Sequence, residues 1–272
     1  MMEVTLLGTG DTTGTPAVGC DCGTCERARE LGVERTRFSV HVHDPATDCS
    51  LLIDASPDFR TQFLREDVAL PDAVVITHMH FDHLDGLGNL YRLVDSAPVY
   101  AADETDPVTD ESVAETIERR YDYLDSVRVA PVAPFESVSA AGFDVRLVPV
   151  VHPPLVSYGV VISNGDVQLS ITGDTTYAIP EDSRAALSDS DLLLAEAIVP
   201  ASRCEGHPLG GDDYHDGVAY TFGTKHTTRE GALALADELD ADRVRLVHAS
   251  HFYPPDEAFA DPLAVDGERY AL

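Results

Sequence analysis

Short apolar runs rich in Val, Ile and Leu alternate along the chain with amphipathic and polar stretches. The length and β-branched content of these runs are typical of buried strands. The pattern predicts strands at residues 3–7, 38–42, 51–54, 73–76, 99–101, 127–132, 145–151, 158–163, 167–171, 191–195 and 244–247.

Helical periodicity lies between several of these runs. It predicts helices at residues 24–31, 57–66, 84–94, 180–187 and 229–239, with a shorter one at 112–120. Strands separated by covering helices favour an α/β fold with two sheets and helices outside. At 272 residues the chain suits one domain, 1–272, with a large core.

One motif concentrates metal-binding chemistry where a strand ends. The run His78, His80, Asp82 and His83 directly follows the apolar stretch 73–76. Imidazole and carboxylate groups suit Zn or Mn. His78 and His80 are alternate residues that can face one cation, whereas Asp82 and His83 come slightly later and can face a second. The spacing therefore predicts a two-metal centre.

Further candidate ligands repeat this placement after other predicted strands. His152 follows 145–151, Asp174 follows 167–171, and His248 follows 244–247. A lone residue of this kind is usually structural. Three of them after such a motif favour metal ligands.

This order of ligands resembles the metallo-β-lactamase superfamily. The resemblance implies an αβ/βα sandwich of two mixed sheets. It implies that His78, His80 and His152 hold one metal, and that Asp82, His83 and His248 hold the other. Asp174 would bridge them.

A cysteine cluster predicts another metal site. Cys20, Cys22 and Cys25 form C-x-C-x-x-C, and His251 stands three residues after His248. Three thiolates and one imidazole suit a closed, structural zinc site. The alternative is a loop of reduced cysteines.

The combination also resembles the cyclic-phosphate phosphodiesterases of the carbon–phosphorus lyase pathway, which act on phosphoribosyl 1,2-cyclic phosphate. The resemblance extends over nearly the whole chain. It includes Leu6-Leu7-Gly8-Thr9-Gly10, the cysteine loop, Leu52-Ile53-Asp54-Ala55, the metal motif and His248-Ala249-Ser250-His251. In that family a histidine 22 residues before the last ligand contacts the substrate, and here that position is His226. The alternative is a residue at a helix start, with Thr227 or Thr228 as the cap.

The charge bears on location and partners. There are 48 acidic against 18 basic residues, a net charge of −30, and only one lysine, Lys225. Such acidity with a normal apolar fraction resembles proteins of halophilic microbes. It also makes nucleic acid an unexpected partner, and no basic insertion offers a tRNA-binding arm. The absence of a bilayer-length apolar run and of a disulfide pattern or signal peptide favours the cytoplasm, without a membrane partner.

Two segments have open assignments. The acidic segment 102–126 is either a lid over the site or a surface helix. The Gly- and Pro-rich stretch 200–223 is expected to be a loop. It is either a wall of the substrate pocket, with Arg203 as an anion contact, or an exposed surface loop.

The expected activity is hydrolysis of a small phosphodiester. Two divalent cations (Zn or Mn) would generate hydroxide from water, with a structural zinc elsewhere. The expected catalytic residues are His226, Asp82 and Asp174. Alternatives are another hydrolase acting on thioesters, lactams or RNA ends, and a metal-dependent binding protein without turnover. A homodimer is left open.

Overall fold

The computed structural model describes residues 1–165 and 167–272. In chain order its strands are β1 (Glu3–Gly8), β2 (Ser39–Asp44), β3 (Cys49–Ile53), β4 (Ala73–Ile76), β5 (Ala97–Ala102), β6 (Val127–Val132), β7 (Ser137–Ala140), β8 (Phe143–His152), β9 (Leu155–Ser163), β10 (Gln168–Ile171), β11 (Leu192–Glu196), β12 (Gly211–His215), β13 (Val218–Phe222), β14 (His226–Thr227), β15 (Val244–Val247) and β16 (Arg269–Ala271). The α-helices are α1 (Gly23–Leu31), α2 (Phe59–Glu66), α3 (Phe81–Leu84), α4 (Val113–Tyr121), α5 (Glu181–Leu187) and α6 (Arg229–Glu238).

Two mixed sheets form the body of the molecule. The first has the strand order β16-β1-β2-β3-β4-β5-β6, and the second has the order β15-β11-β10-β9-β8-β7. Strands β3 to β6 run parallel, as do β10, β11 and β15, whereas the remaining neighbours are antiparallel. The predicted α/β sandwich of two mixed sheets is confirmed.

The main core lies between the sheets. Val40, Ile53 and Val75 of the first sheet share one buried cluster with Val160 and Leu194 of the second. Successive side chains of a strand point to opposite faces. Leu193 and Ala195 therefore leave this core and face α6 on the outside, where they pack with Ala232 and Leu235.

The prediction of a helix over 84–94 is wrong. The chain there forms the short helix α3 and then a 3₁₀-helix at Asp85–Leu90. The backbone at Gly86 lies so close to Ser56 that an added Cβ would stand 2.0 Å from the Ser56 carbonyl oxygen. This contact requires glycine and holds the metal-motif loop against the segment after β3.

The expectation of a loop over 200–223 is also wrong. A 3₁₀-helix at Ala201–Cys204 is followed by the hairpin of β12 and β13, and β14 completes the small sheet β12-β13-β14. The hairpin turns at Asp216 and Gly217, which both have positive φ, as type I′ turns require. This sheet carries His226 to the site.

The acidic segment 102–126 contains α4, which packs on β5 and β6. A capping box between Ser112 and Glu115 begins the helix. Among the helices of the described part of the chain, none is long and apolar enough to cross a membrane.

Candidate metal centre and active site

The candidate site is built from strand ends of both sheets. The loop after β4 carries His78, His80, Asp82 and His83. From the second sheet come His152 at the end of β8, Asp174 after β10 and His248 after β15. The structure therefore brings together all seven ligands expected from the sequence.

These side chains form two neighbouring groups. One contains His78, His80, His152 and Asp174, and the other contains Asp82, His83 and His248. Within the first group, Nδ1 of His80 lies 2.9 Å from Nε2 of His78 and 3.3 Å from Nε2 of His152. Such close nitrogens suit convergence on one cation.

Asp174 belongs to the first group and also reaches the second. Its Oδ2 is 3.8 Å from Nε2 of His78 and 3.4 Å from Nε2 of His248, whereas its Oδ1 is 3.5 Å from Nε2 of His83. One carboxylate therefore reaches ligands of both groups, as a bridging residue must.

Hydrogen bonds at Nδ1 fix several of the imidazoles. His152 donates to the Lys225 carbonyl oxygen at 2.9 Å, and His83 donates to Oδ2 of Asp54 at 2.6 Å. Nδ1 of His248 lies 3.2 Å from Oε1 of Glu196. Such contacts direct Nε2 toward the centre and are typical of metal-binding histidines.

Asp54 also holds the motif loop itself. Its carboxylate accepts hydrogen bonds from the backbone N–H and the hydroxyl of Thr77, both at 2.8 Å. Asp54 is fully buried, so these donors and His83 compensate for its desolvation.

The donor set fits divalent cations. Nε2 of His83 and Nε2 of His248 are buried and have no hydrogen-bond partner in the described part of the chain, although a buried polar atom normally has one. Burial lowers the pKa of both histidines, but Asp174 and the other nearby carboxylates raise it well above the usual range. The carboxylates therefore favour positive charge here, which bound cations would supply in place of the protons.

The net pKa shift of His78 and His80 is in the opposite direction. Desolvation and the neighbouring His152 lower the pKa of His80 to about 4. Burial and His83 likewise lower the pKa of His78 well below its usual value. Both rings are thus neutral near pH 7, which is the form that ligates a metal.

Glu196 was not predicted from the sequence. It is buried at the last position of β11 and accepts a hydrogen bond from Nδ1 of His226. Burial lowers the pKa of His226, but the Glu196 carboxylate outweighs this effect and raises it above 6.5. The strand-end placement that identified the other ligands also applies to Glu196, because the predicted strand 191–195 stops one residue earlier.

His226 stands beside these two groups, in a further cluster with Asp174, Glu196 and His248. Its ring centroid is 4.8 Å from that of His152 and 5.7 Å from that of His248. It precedes the cap of α6, which is Thr228, whose hydroxyl accepts the Gly231 N–H at 3.1 Å. The capping role therefore belongs to Thr228.

The centre opens onto a pocket of about 360 Å³. Its polar side includes His80, Asp82, His226 and Lys225, and its apolar side is formed by Phe81, Ile198, Val199, Phe222 and Phe252. Arg203, considered from the sequence as an anion contact, instead donates from Nε to the Phe252 carbonyl oxygen at 2.7 Å. Within the described chain, segment 102–126 contributes no residue to this pocket.

The cysteine cluster also assembles. Nδ1 of His251 lies 3.5 Å from Sγ of Cys20, 3.4 Å from Sγ of Cys22 and 3.6 Å from Sγ of Cys25. These four residues form a group able to hold a metal ion. Because His251 is next to Phe252, which lines the pocket, the cluster fixes the N-terminal loop beside the site.

Residues 50–249 match the model of the beta-lactamase superfamily domain. Together with the fold and the histidine–aspartate clusters, this match shows that the chain belongs to the metallo-β-lactamase superfamily.

Among solved structures, a diphosphatase from the PhnP family is similar over 100% of this chain and 98% of that one, with a TM-score of 0.77 and 27% identity. Zinc-bound PqqB from Methylobacterium extorquens has the same TM-score over 99% and 100% of the two chains, at 21% identity.

A curated octanoyltransferase from Porphyromonas gingivalis is 31% identical over 257 residues. The alignment includes 93% of this chain but 47% of that protein, so the chain spans about half of the relative's length.

Proposed function

We propose that this protein is a metal-dependent phosphodiesterase that hydrolyses a small phosphodiester. A cyclic phosphate such as phosphoribosyl 1,2-cyclic phosphate is the favoured substrate. The observation that carries the proposal is His226, which Glu196 holds in the pocket wall beside the ligand cluster. A proton donor next to a cation site suits cleavage of a P–O bond whose departing oxygen needs a proton.

The roles of the residues follow from their positions. His78, His80 and His152 would hold one divalent cation, and Asp82, His83 and His248 would hold the other, with Asp174 between them. When bound, two cations (Zn or Mn) activate water and neutralise charge on the phosphoryl oxygens.

His226 would donate the proton that the departing oxygen needs. Glu196 keeps the imidazole oriented through Nδ1, which leaves Nε2 for the substrate. The raised pKa of His226 supports the protonated form near neutral pH.

We propose zinc for the cysteine cluster. A tetrahedral ion with Zn–S of about 2.3 Å and Zn–N of about 2.1 Å separates each S–N ligand pair by roughly 3.6 Å. The distances from His251 to the three thiols range from 3.4 to 3.6 Å. This agreement supports a closed site with a structural role.

A diphosphate is the second candidate substrate. The similar PhnP-family structure is that of a diphosphatase, and the same centre could cleave either a P–O–C or a P–O–P bond. A thioester, a lactam and a pre-tRNA 3′ end are less favoured, because His226 and the acidic surface point to a small phosphate ester.

Turnover by metal-loaded protein at high salt tests the proposal. The chain should be stripped with chelator, reloaded with Zn or Mn, and assayed on a cyclic phosphodiester, a nucleoside diphosphate ester, a thioester and pre-tRNA. We expect metal-dependent turnover of the cyclic phosphodiester. Exclusive turnover of the thioester or of pre-tRNA would contradict the proposal, and cation binding without any turnover would favour a binding protein.

A further inference from the structure

One buried carboxylate connects the acidic segment 102–126 to the strands that carry the candidate ligands. Asp106 is fully buried. Its Oδ1 accepts the backbone N–H groups of Val108 and Thr109 at 2.8 and 3.0 Å, which closes its own turn. Its Oδ2 accepts the N–H of Val156 in β9 at 2.7 Å, across 50 residues of chain. One oxygen therefore serves the turn and the other holds a distant strand.

The part of β9 that Asp106 holds lies beyond the end of its neighbour β10. The two strands pair only over residues 160–163 of β9, whereas β9 begins at residue 155. Asp106 therefore accepts an N–H that a further strand would otherwise pair with. A second bond joins the same stretch to the acidic segment, because the Tyr158 hydroxyl donates to Oε2 of Glu104 at 2.8 Å.

This stretch of β9 positions two candidate ligands. Leu155 lies opposite His152 in the pairing of β9 with β8. The Ser157 hydroxyl donates to the carbonyl oxygen of Asp174 at 3.1 Å. His152 and Asp174 belong to the same ligand group. A shift of β9 would consequently be passed to both side chains.

We propose that Asp106 is a positioning residue for the metal centre, which acts through β9 on His152 and Asp174. Contacts that orient ligands without touching the metal typically contribute about 10–100-fold in metal affinity or activity. The acidic segment would then be a fixed support of the site rather than a lid. This inference rests on the cation centre of the proposed function and adds a residue that stands outside the described pocket lining.

Asp106→Asn separates the two contacts of this carboxylate. Asparagine has the same shape but only one accepting oxygen. If that oxygen keeps the two N–H groups of the turn, the amide NH₂ faces the N–H of Val156, and the contact with β9 is lost. Asp106→Ser is a second variant without that donor–donor clash, because its hydroxyl can still support the turn and is too short to reach β9. The control Asp110→Asn removes the same charge from an exposed residue of the segment.

Cation affinity is the decisive readout, since it needs no substrate. Mn²⁺ alone is the probe, because the soft thiolates of the cysteine cluster favour zinc. Binding to chelator-treated protein at high salt is followed by the electron paramagnetic resonance of free Mn²⁺. We expect Asp106→Asn and Asp106→Ser to weaken at least one Mn²⁺ dissociation constant of the centre by about 10–100-fold. Asp110→Asn should bind Mn²⁺ as wild type does.

The other outcomes overturn the inference. Wild-type Mn²⁺ affinity in a folded Asp106 variant, with only a lowered melting temperature, would make the contact purely structural. Equal weakening in Asp110→Asn would assign the effect to the charge of the segment. If wild type itself binds no Mn²⁺ and no zinc beyond the cysteine cluster, the proposed cation centre fails, which is a distinguishable result.

Discussion

The buried carboxylate of Glu196 and the partly exposed imidazole of His226 form a pair at the edge of the metal-ligand cluster. The Oε1 of Glu196 accepts from Nδ1 of His226 and also lies 3.2 Å from Nδ1 of His248. The other oxygen of Glu196 accepts the Thr175 N–H at 2.6 Å. One side chain thus orients both the candidate proton donor and a candidate metal ligand.

The first prediction concerns the pH dependence that this pair creates. Because Glu196 outweighs burial and raises the pKa of His226, the protonated donor persists to higher pH than in an ordinary imidazole and is lost as pH rises through that raised pKa. Glu196→Gln should shift the alkaline limb of the kcat profile to lower pH. The kcat for a cyclic phosphodiester should therefore fall by more at pH 8 than at pH 6.

The matched control is Glu118→Gln, which makes the same change at an exposed position of α4 and should leave the profile in place. An alkaline limb that does not move in Glu196→Gln would contradict the assignment of His226 as the donor.

The second prediction concerns the cation ligands. His78→Ala and Asp174→Ala each remove a side chain that belongs to the ligand cluster. Hydrolysis should be abolished and metal content lowered, while circular dichroism shows the same fold. Near-normal turnover by either purified variant would refute the two-metal assignment.

The third prediction concerns the cysteine cluster. Cys22→Ser should lose one metal equivalent by elemental analysis, because a tetrahedral site loses a ligand. The melting temperature should fall by several degrees, at roughly 2–4 °C per kcal/mol for domains of this order of size.

Cys49→Ser is the control, since Cys49 lies outside the cluster. It should keep both the metal content and the melting temperature. Unchanged zinc per chain in Cys22→Ser would exclude the structural site.

The fourth prediction concerns stability and pH. His41 is buried and its Nε2 donates to the Ala69 carbonyl oxygen at 3.1 Å. Burial lowers its pKa to about 4. Between about pH 6.5 and 4 the unfolded chain therefore binds a proton that the folded chain does not.

The resulting stability is complete above about pH 6.5 and is lost as pH falls toward about 4, by up to about 3 kcal/mol. Denaturant unfolding should be measured at several pH values for both proteins. Between about pH 6.5 and 4 the free energy of unfolding should fall less steeply with falling pH in His41→Gln than in wild type. His43→Gln is an informative control, because the pKa of His43 is shifted in the opposite direction, upward, by Asp48 and Glu3 despite the lowering effect of burial. The same pH dependence of the free energy of unfolding in His41→Gln and wild type would contradict the prediction.

The sandwich and the candidate-ligand cluster could be predicted from the sequence because both depend on local patterns. Apolar runs mark the buried strands, and the ligands follow these strands directly, so the pattern alone points to His152, Asp174 and His248. Their convergence follows from the sheet topology, which places these strand ends together.

The features that could not be predicted from the sequence depend on contacts between distant segments. Gly86 is needed because the backbone of Ser56 lies against it, and helical periodicity carries no sign of that contact. Glu196 shares the strand-end placement of the other candidates but belongs to no spacing motif, and its role exists only because β14 brings His226 within hydrogen-bonding distance.

The leaving-group dependence of the His226→Ala variant tests the central claim most directly. On metal-loaded protein at matched high salt, kcat should be measured for a phosphodiester with an alkyl leaving group and for one with p-nitrophenolate. The helix-cap variant Thr228→Ala serves as the control, because losing a cap costs about 1 kcal/mol of stability without removing the proton donor. We expect His226→Ala to lose about 10²–10⁴-fold on the alkyl ester and much less on the p-nitrophenyl ester. Equal losses on the two esters, or losses no greater than those of Thr228→Ala, would contradict the assignment of His226 as the proton donor.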